Sequence, residues 1–186
     1  MVRMTTPPVE FGQVLPDFEL LGVDGKTWSV KKIMGKNGLV VMFICNHCPY
    51  VQSIQYRLVE DCKALQEMGV NCLAIMPNDP AVYPEDSFAN MKKVASEKGY
   101  PFPYVMDADQ SVAKRWGAVC TPDFFGLDKH GRVHYRGRLD AAGLDSQAAR
   151  LRRDLVEAMR ELVETGRISS RQWPSVGCSI KWKTAD

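Results

Sequence analysis

Leu39-Val-Val-Met-Phe-Ile-Cys-Asn-His-Cys-Pro49 is the stretch that decides how this chain folds. Leu39 to Ile44 is an unbroken apolar run rich in β-branched residues, the pattern of a strand buried on both faces. Pro49 marks the start of a helix, because proline is tolerated at the first helical position. The helix continues to about Met68, with Val51, Ile54, Leu58, Cys62 and Leu65 at 3–4 spacing and Gly69 as its stop. Val70 to Met76 is a second apolar strand. Strand, helix and strand with short joints make a βαβ unit with parallel strands.

Working outward, Phe18–Leu21 and Thr27–Val30 read as two strands turned at Asp24-Gly25. A helix is expected to begin at Pro84, with Glu85 and Asp86 at the positive end of its dipole and Gly99 at its end. Val112 to Trp116 is a short helix. Asp123–Leu127 and Arg132–Arg138 form a hairpin across Asp128-Lys-His-Gly131. Ser146–Glu164 is an amphipathic helix with Leu151, Leu155, Met159 and Leu162 inward; Arg150, Arg152, Arg153 and Arg160 form its solvated face. The expected fold is an α/β sandwich with a mixed sheet and helices on both faces.

The 186 residues suit one domain, 1–186, with 167–186 as a docked C-terminal extension. The tail carries Trp173, Cys178 and Trp182 and is too apolar to stay solvated. A 45% hydrophobic, 25% charged composition with net charge +2 and no run of one sign gives no footprint for nucleic acid or an anionic membrane. The N-terminus has no apolar core like a secretory signal, and no run is long enough to span a bilayer, so the reading is cytoplasmic. In a reducing compartment, six cysteines point to catalysis, metal binding or burial rather than a disulfide framework.

Cys48 is the cysteine whose position carries chemistry. The residue before proline is pushed away from helical angles, as an N-cap requires. A sulfur there faces unpaired N–H groups and the positive end of the dipole, which stabilise the nucleophilic thiolate and lower its pKa to roughly 3.5–7.5. Cys45 completes a C-x-x-C that runs backward from the helix start. If residues 45–48 are extended, the two Cα atoms lie about 10 Å apart, too far for a disulfide; a tight turn at Asn46-His47 closes that gap. Cys45 is therefore either a redox partner or a strand-end residue. His47 either tunes Cys48 or is an ordinary loop histidine. Cys62 and Cys72 read as core.

Gly12-Gln-Val-Leu-Pro-Asp-Phe-Glu-Leu20, Asp24-Gly-Lys-Thr-Trp28 and Phe43-Ile-Cys-Asn-His-Cys-Pro49 resemble the peroxiredoxin and thioredoxin-like family, the redoxins of the alkyl hydroperoxide reductase/thiol-specific antioxidant kind. Asp107-Ala-Asp-Gln and Trp116-Gly-Ala-Val-Cys-Thr-Pro122 resemble the segment around that family's cis-proline, so that the likeness spans about residues 10 to 140. The resemblance implies a thioredoxin-like fold, redox chemistry at Cys48, and a cis Thr121–Pro122 bond beside it, although local sequence alone favours trans. It departs from the family in three places. Cys45 stands where typical peroxiredoxins have threonine, Pro122 about where they carry arginine, and Val51 where thioredoxins have their second cysteine.

The expected function is thiol-dependent oxidoreduction of a small peroxide or of a protein or low-molecular-weight disulfide, with a thiol reductant such as a thioredoxin or glutathione and no cofactor. Cys45, Cys120 and Cys178 are the candidates to resolve the oxidised Cys48. Metal binding or metallochaperoning through Cys45, His47, Cys48, Cys120 and Cys178 is the rival reading, since thiolates and imidazole suit Cu(I) or Zn. A third is a binding module that keeps the fold without the chemistry. For Cys178, packing alone and a redox role at the Cys120–Pro122 loop both stay open.

Overall fold

The buried run at Leu39 forms a strand because each of its edges finds a partner. In the computed structural model, which describes residues 2–145 and 151–184, the elements follow in chain order. First come β1 (Arg3–Thr5), β2 (Leu20–Leu21), β3 (Thr27–Trp28), α1 (Val30–Ile33), β4 (Gly38–Phe43), α2 (Pro49–Glu67) and β5 (Val70–Met76). Then follow α3 (Phe88–Glu97), β6 (Tyr104–Met106), α4 (Ser111–Trp116), β7 (Cys120–Thr121), β8 (Asp123–Asp128), β9 (Val133–Gly137), α5 (Asp154–Thr165) and β10 (Val176–Ser179). The main sheet has the order β6-β5-β4-β8-β9. β4 is central: parallel to β5 (Val41 opposite Leu73) and antiparallel to β8 (Val41 opposite Phe125).

Successive side chains of a strand point to opposite faces. Val40, Met42 and Ile44 accordingly meet Leu58 of α2 and Leu155 and Met159 of α5. Leu39, Val41 and Phe43 meet Trp116 of α4 and Ile33 of α1. The site thus sits at the carboxyl end of a strand locked between two apolar layers, where α/β folds place their sites. None of the described helices is long and apolar enough to cross a membrane.

Several expectations are corrected. The second N-terminal strand stops at Trp28, because the Ser29 hydroxyl accepts from Lys32 N–H (3.2 Å) and caps α1. Pro84 opens a 3₁₀ turn, Pro84–Asp86, and the α-helix begins only at Phe88, after Ser87. The side chain of Asp86 is buried and engaged elsewhere, so it does not serve that helix's dipole. The helix expected from Ser146 runs Asp154–Thr165; residues 146–150 lie outside the described ones, and Leu151 precedes the helix, half-buried. β6 and β10 were not expected as strands. β10 is the middle strand of a second sheet, β1-β10-β7, which joins the two ends of the chain beside the main sheet.

Candidate active site

Pro49 is the first residue of α2 and Cys48 its N-cap, with extended backbone angles (φ −73°, ψ 121°). The next segment to reach this point is β7 and the residue after it. The Thr121–Pro122 bond is cis. Thr121 touches both cysteines of the loop: its Oγ1 is hydrogen-bonded to Cys45 Sγ (3.2 Å), and its carbonyl accepts from the Cys48 thiol (3.2 Å). The third element is β10. Cys178 is the register partner of Thr121 across β7, and Ile180 N–H continues the pairing to the Val119 carbonyl (3.0 Å).

Three sulfurs therefore converge. The thiols of Cys45 and Cys178 both lie close enough to Cys48 to favour its thiolate, and the Cys178 backbone N–H acts in the same direction. The bend at Asn46-His47 closes the gap that an extended loop would leave. The Cys45 thiol does most to pull the Cys48 thiol down, to about 5; burial opposes this, and the Cys178 thiol and the amides of Val51 and Cys178 assist. The Val51 N–H is committed to the Cys48 carbonyl (3.0 Å), so it acts on the sulfur as the field of the helix end rather than as a formed bond. The Thr121 carbonyl opposes ionisation, and three donors outweigh one acceptor.

The neighbours move the other way. Burial pushes Cys45 well above the usual thiol range, and the hydrogen bond to Cys48 and the charge of Asp86 push it further. Burial, with the hydrogen bond to and charge of Cys48, raises Cys178 to about 12. One thiolate facing two thiols is the arrangement a nucleophile with thiol partners needs.

The loop is held by a residue that sequence reasoning missed as part of the site. Asp86 Oδ1 accepts from the backbone N–H of Asn46 (2.8 Å) and of His47 (3.3 Å). Its Oδ2 bonds His47 Nδ1 (2.6 Å) and accepts from Asn78 Nδ2 (2.8 Å). Burial alone would raise this carboxyl; the bonds from His47, Asn78 and Asn46 hold it below the ordinary range. Tyr104 Oη donates to Asn46 Oδ1 (3.1 Å) and Gln52 Nε2 to the Asn46 carbonyl (2.9 Å). The only sequence signal for Asp86 was a polar turn, and a carboxylate at a helix start is ordinarily read as serving that helix.

Of the candidates, the structure brings together Cys45, Cys48, Thr121, Pro122 and Cys178. His47 is turned to Asp86 and stacks on Tyr83 (centroids 4.2 Å apart), away from the role of a direct partner to Cys48. Cys120 lies opposite Ser179, one residue out of phase with Thr121, so its side chain leaves β7 on the other face from Cys178. Cys45, His47 and Asp86 place potential ligand atoms within 4.8 Å of one another. The four hydrogen bonds at Asp86 already use the acceptor capacity of a carboxylate, so it fits a bracing role better than metal ligation. A cavity of about 170 Å³ flanks the site, lined among others by Tyr50, Ile54, Pro122, Arg138, Ser175 and Val176.

The fold is thioredoxin-like, and fold and relatives together define a thiol-dependent oxidoreductase. Residues 11–136 match the model of the AhpC/TSA family, and the chain belongs to that family. It is 28% identical over 125 residues to thiol-disulfide oxidoreductase ResA of Geobacillus thermodenitrificans, covering 67% of each chain. It is 27% identical over 134 residues to chloroplastic peroxiredoxin Q of Populus jackii, covering 67% of this chain and 58% of that one. A crystal structure of an uncharacterized conserved protein from Geobacillus kaustophilus superposes with a TM-score of 0.94 at 41% identity, over 100% of this chain and 99% of the other.

Proposed function

We propose that Cys48 is the reacting sulfur, and that its thiolate attacks either the outer oxygen of a peroxide or one sulfur of a disulfide. The observation that carries this is the convergence of two thiols and an amide on one sulfur at the N-terminus of α2. With a peroxide, the O–O bond breaks and Cys48 becomes a sulfenic acid; with a disulfide, a mixed disulfide forms and a thiolate leaves. Cys45 holds the thiolate and Thr121 positions both sulfurs. A thiol reductant such as thioredoxin or glutathione returns the enzyme to its reduced form.

Residues 1–186 act as one domain with 167–186 as a docked C-terminal extension, a reading supported by β10 pairing with β7. A reducing compartment such as the cytoplasm suits an antioxidant role, because it keeps cysteines as thiols. Metal binding has less support, since Asp86 is saturated with hydrogen bonds and His47 is tied to it.

The test is stopped-flow reaction of the reduced protein with hydrogen peroxide and with a small disulfide, each followed by mass spectrometry. Cys48 is expected to be the first cysteine modified by both. First attack at any other cysteine overturns the proposal.

A further inference from the structure

Cys178 reaches Cys48 on a strand that has no freedom to lie elsewhere. β10 is hydrogen-bonded on both edges, to β1 (Cys178 opposite Arg3) and to β7 (Cys178 opposite Thr121). Gly177 lies flat on the Thr121–Pro122 peptide, and a Cβ there would fall inside the Thr121 carbonyl oxygen. Beyond the strand, Lys181 N–H donates to Asn78 Oδ1 (2.9 Å), and Asn78 Nδ2 donates to Asp86 Oδ2 (2.8 Å). The tail and the cysteine loop are thus fixed to one carboxylate.

This placement has a second effect. An extended polypeptide binds an exposed strand edge by main-chain hydrogen bonds. Val119 and Thr121, the residues of this segment whose main-chain groups face β10, are already paired with it next to Cys48. Cys48 itself is fully buried, and the flanking cavity of about 170 Å³ is smaller than pockets that take even drug-sized molecules.

We propose that Cys178 is the thiol that resolves Cys48, and that β10, by occupying the place a protein substrate would need, excludes protein disulfides and restricts the oxidant to small molecules, a hydroperoxide in the cycle that follows. This rests on Cys48 being the reacting sulfur. In the first step the Cys48 thiolate attacks the outer oxygen and the O–O bond breaks. The released alkoxide takes a proton from water and Cys48 becomes a sulfenic acid. In the second, the Cys178 sulfur attacks Cys48; the S–S bond forms as the S–O bond breaks, and the hydroxide leaves as water with the Cys178 proton. Two equivalents of a low-molecular-weight thiol then reduce the disulfide and become a disulfide themselves.

Electrostatics favour Cys178 over Cys45 once Cys48 is oxidised. Burial does most to hold Cys178 protonated and persists; the bond to and charge of the Cys48 thiolate add to it, and both of these vanish when that sulfur becomes a neutral sulfenic acid. The Lys181 ammonium remains and favours the Cys178 thiolate. At Cys45 burial remains and the charge of Asp86 remains beside it, both opposing ionisation.

The experiment begins with the unaltered protein: one equivalent of hydrogen peroxide, an acid quench and disulfide mapping. A dominant Cys48–Cys178 bond is expected; a dominant Cys45–Cys48 bond overturns the assignment while leaving Cys48 as nucleophile. In Cys178→Ser, the Cys48 sulfenic acid trapped by dimedone is expected to persist at least about tenfold longer. Disappearance at the parental rate overturns the resolving role. Reduced glutathione as electron donor should support peroxide turnover roughly 100-fold faster than reduction of insulin disulfides, because β10 denies a chain its edge. Equal rates overturn the restriction to small oxidants. An unoxidised Cys48 overturns this proposal together with the one beneath it.

Discussion

At the scale of single residues, donors rather than burial decide the state of Cys48. All six cysteines are buried, and burial by itself raises a thiol pKa. Cys48 is lowered because donors face its sulfur, chiefly the Cys45 thiol, and outweigh its burial. Labelling of the reduced protein by iodoacetamide across pH is therefore expected to show a Cys48 midpoint near 5, with Cys45 silent through neutral pH. Cys45→Ala is expected to raise that midpoint by at least about one unit, the size of a lost charge-assisted bond. An unmoved midpoint would remove Cys45 from the account. The sign for stability follows from the same shift. A depressed folded pKa contributes stability that is complete above the unfolded value and is lost as pH falls through about 5. Cys48 was legible in the sequence because its determinants, a strand end and a following proline, are local. Asp86 was not, because what it grips lies about forty residues away along the chain.

At the scale of elements, β10 is the piece on which the three-sulfur arrangement depends. Gly177→Ala inserts a methyl group into the Thr121–Pro122 backbone, which has no flexible side chain to yield. Overpacking of this kind costs about 1–3 kcal/mol. The variant is expected to unfold at lower urea by that amount and, after peroxide, to form an intramolecular disulfide at Cys48 more slowly than the parent, although it retains every thiol. Parental stability and parental disulfide formation would show that the strand tolerates displacement. The main sheet was legible where its strands are long and apolar, as at Leu39–Ile44 and Val70–Met76. β10 and β6 were hidden for a physical reason: each is only three or four residues long, too short for a period of two to register. What makes β10 a strand is its place between β1 and β7, a property of the tertiary fold rather than of residues 176–179.

For the molecule as a whole, stability against pH is set by opposing groups. Asp61 is raised to about 6 and Asp123 to about 7, in both cases by burial against partly compensating arginines. A carboxyl raised above its unfolded pKa contributes stability that is complete below that value and is lost as pH rises through the folded one. These two therefore work against Cys48, whose contribution grows from about pH 5 upward. Asp123 follows Pro122 directly, and its Oδ2 accepts from Arg136 Nη2 (2.8 Å), which also donates to the Gly117 carbonyl (2.7 Å). Among the described residues Asp123 Oδ1 and Arg136 Nε have no hydrogen-bond partner, so the pair is incompletely compensated. Arg136→Met keeps an apolar side chain of similar length and removes both the counter-charge and the guanidinium that lies 4.6 Å from the Phe125 ring centroid. Breaking a buried pair from one side costs about 3–5 kcal/mol while the orphan stays charged. Asp123 escapes that cost by protonating, and its already raised pKa makes the escape easy. Urea unfolding of Arg136→Met should therefore show a loss of about 3 kcal/mol or more at pH 8, shrinking to less than half of that at pH 5. What remains at pH 5 is the lost bond to Gly117 and the altered packing. A loss of equal size at both pH values would mean that the charge of Asp123 is not what Arg136 offsets, and that the pair holds the segment after Pro122 by shape alone.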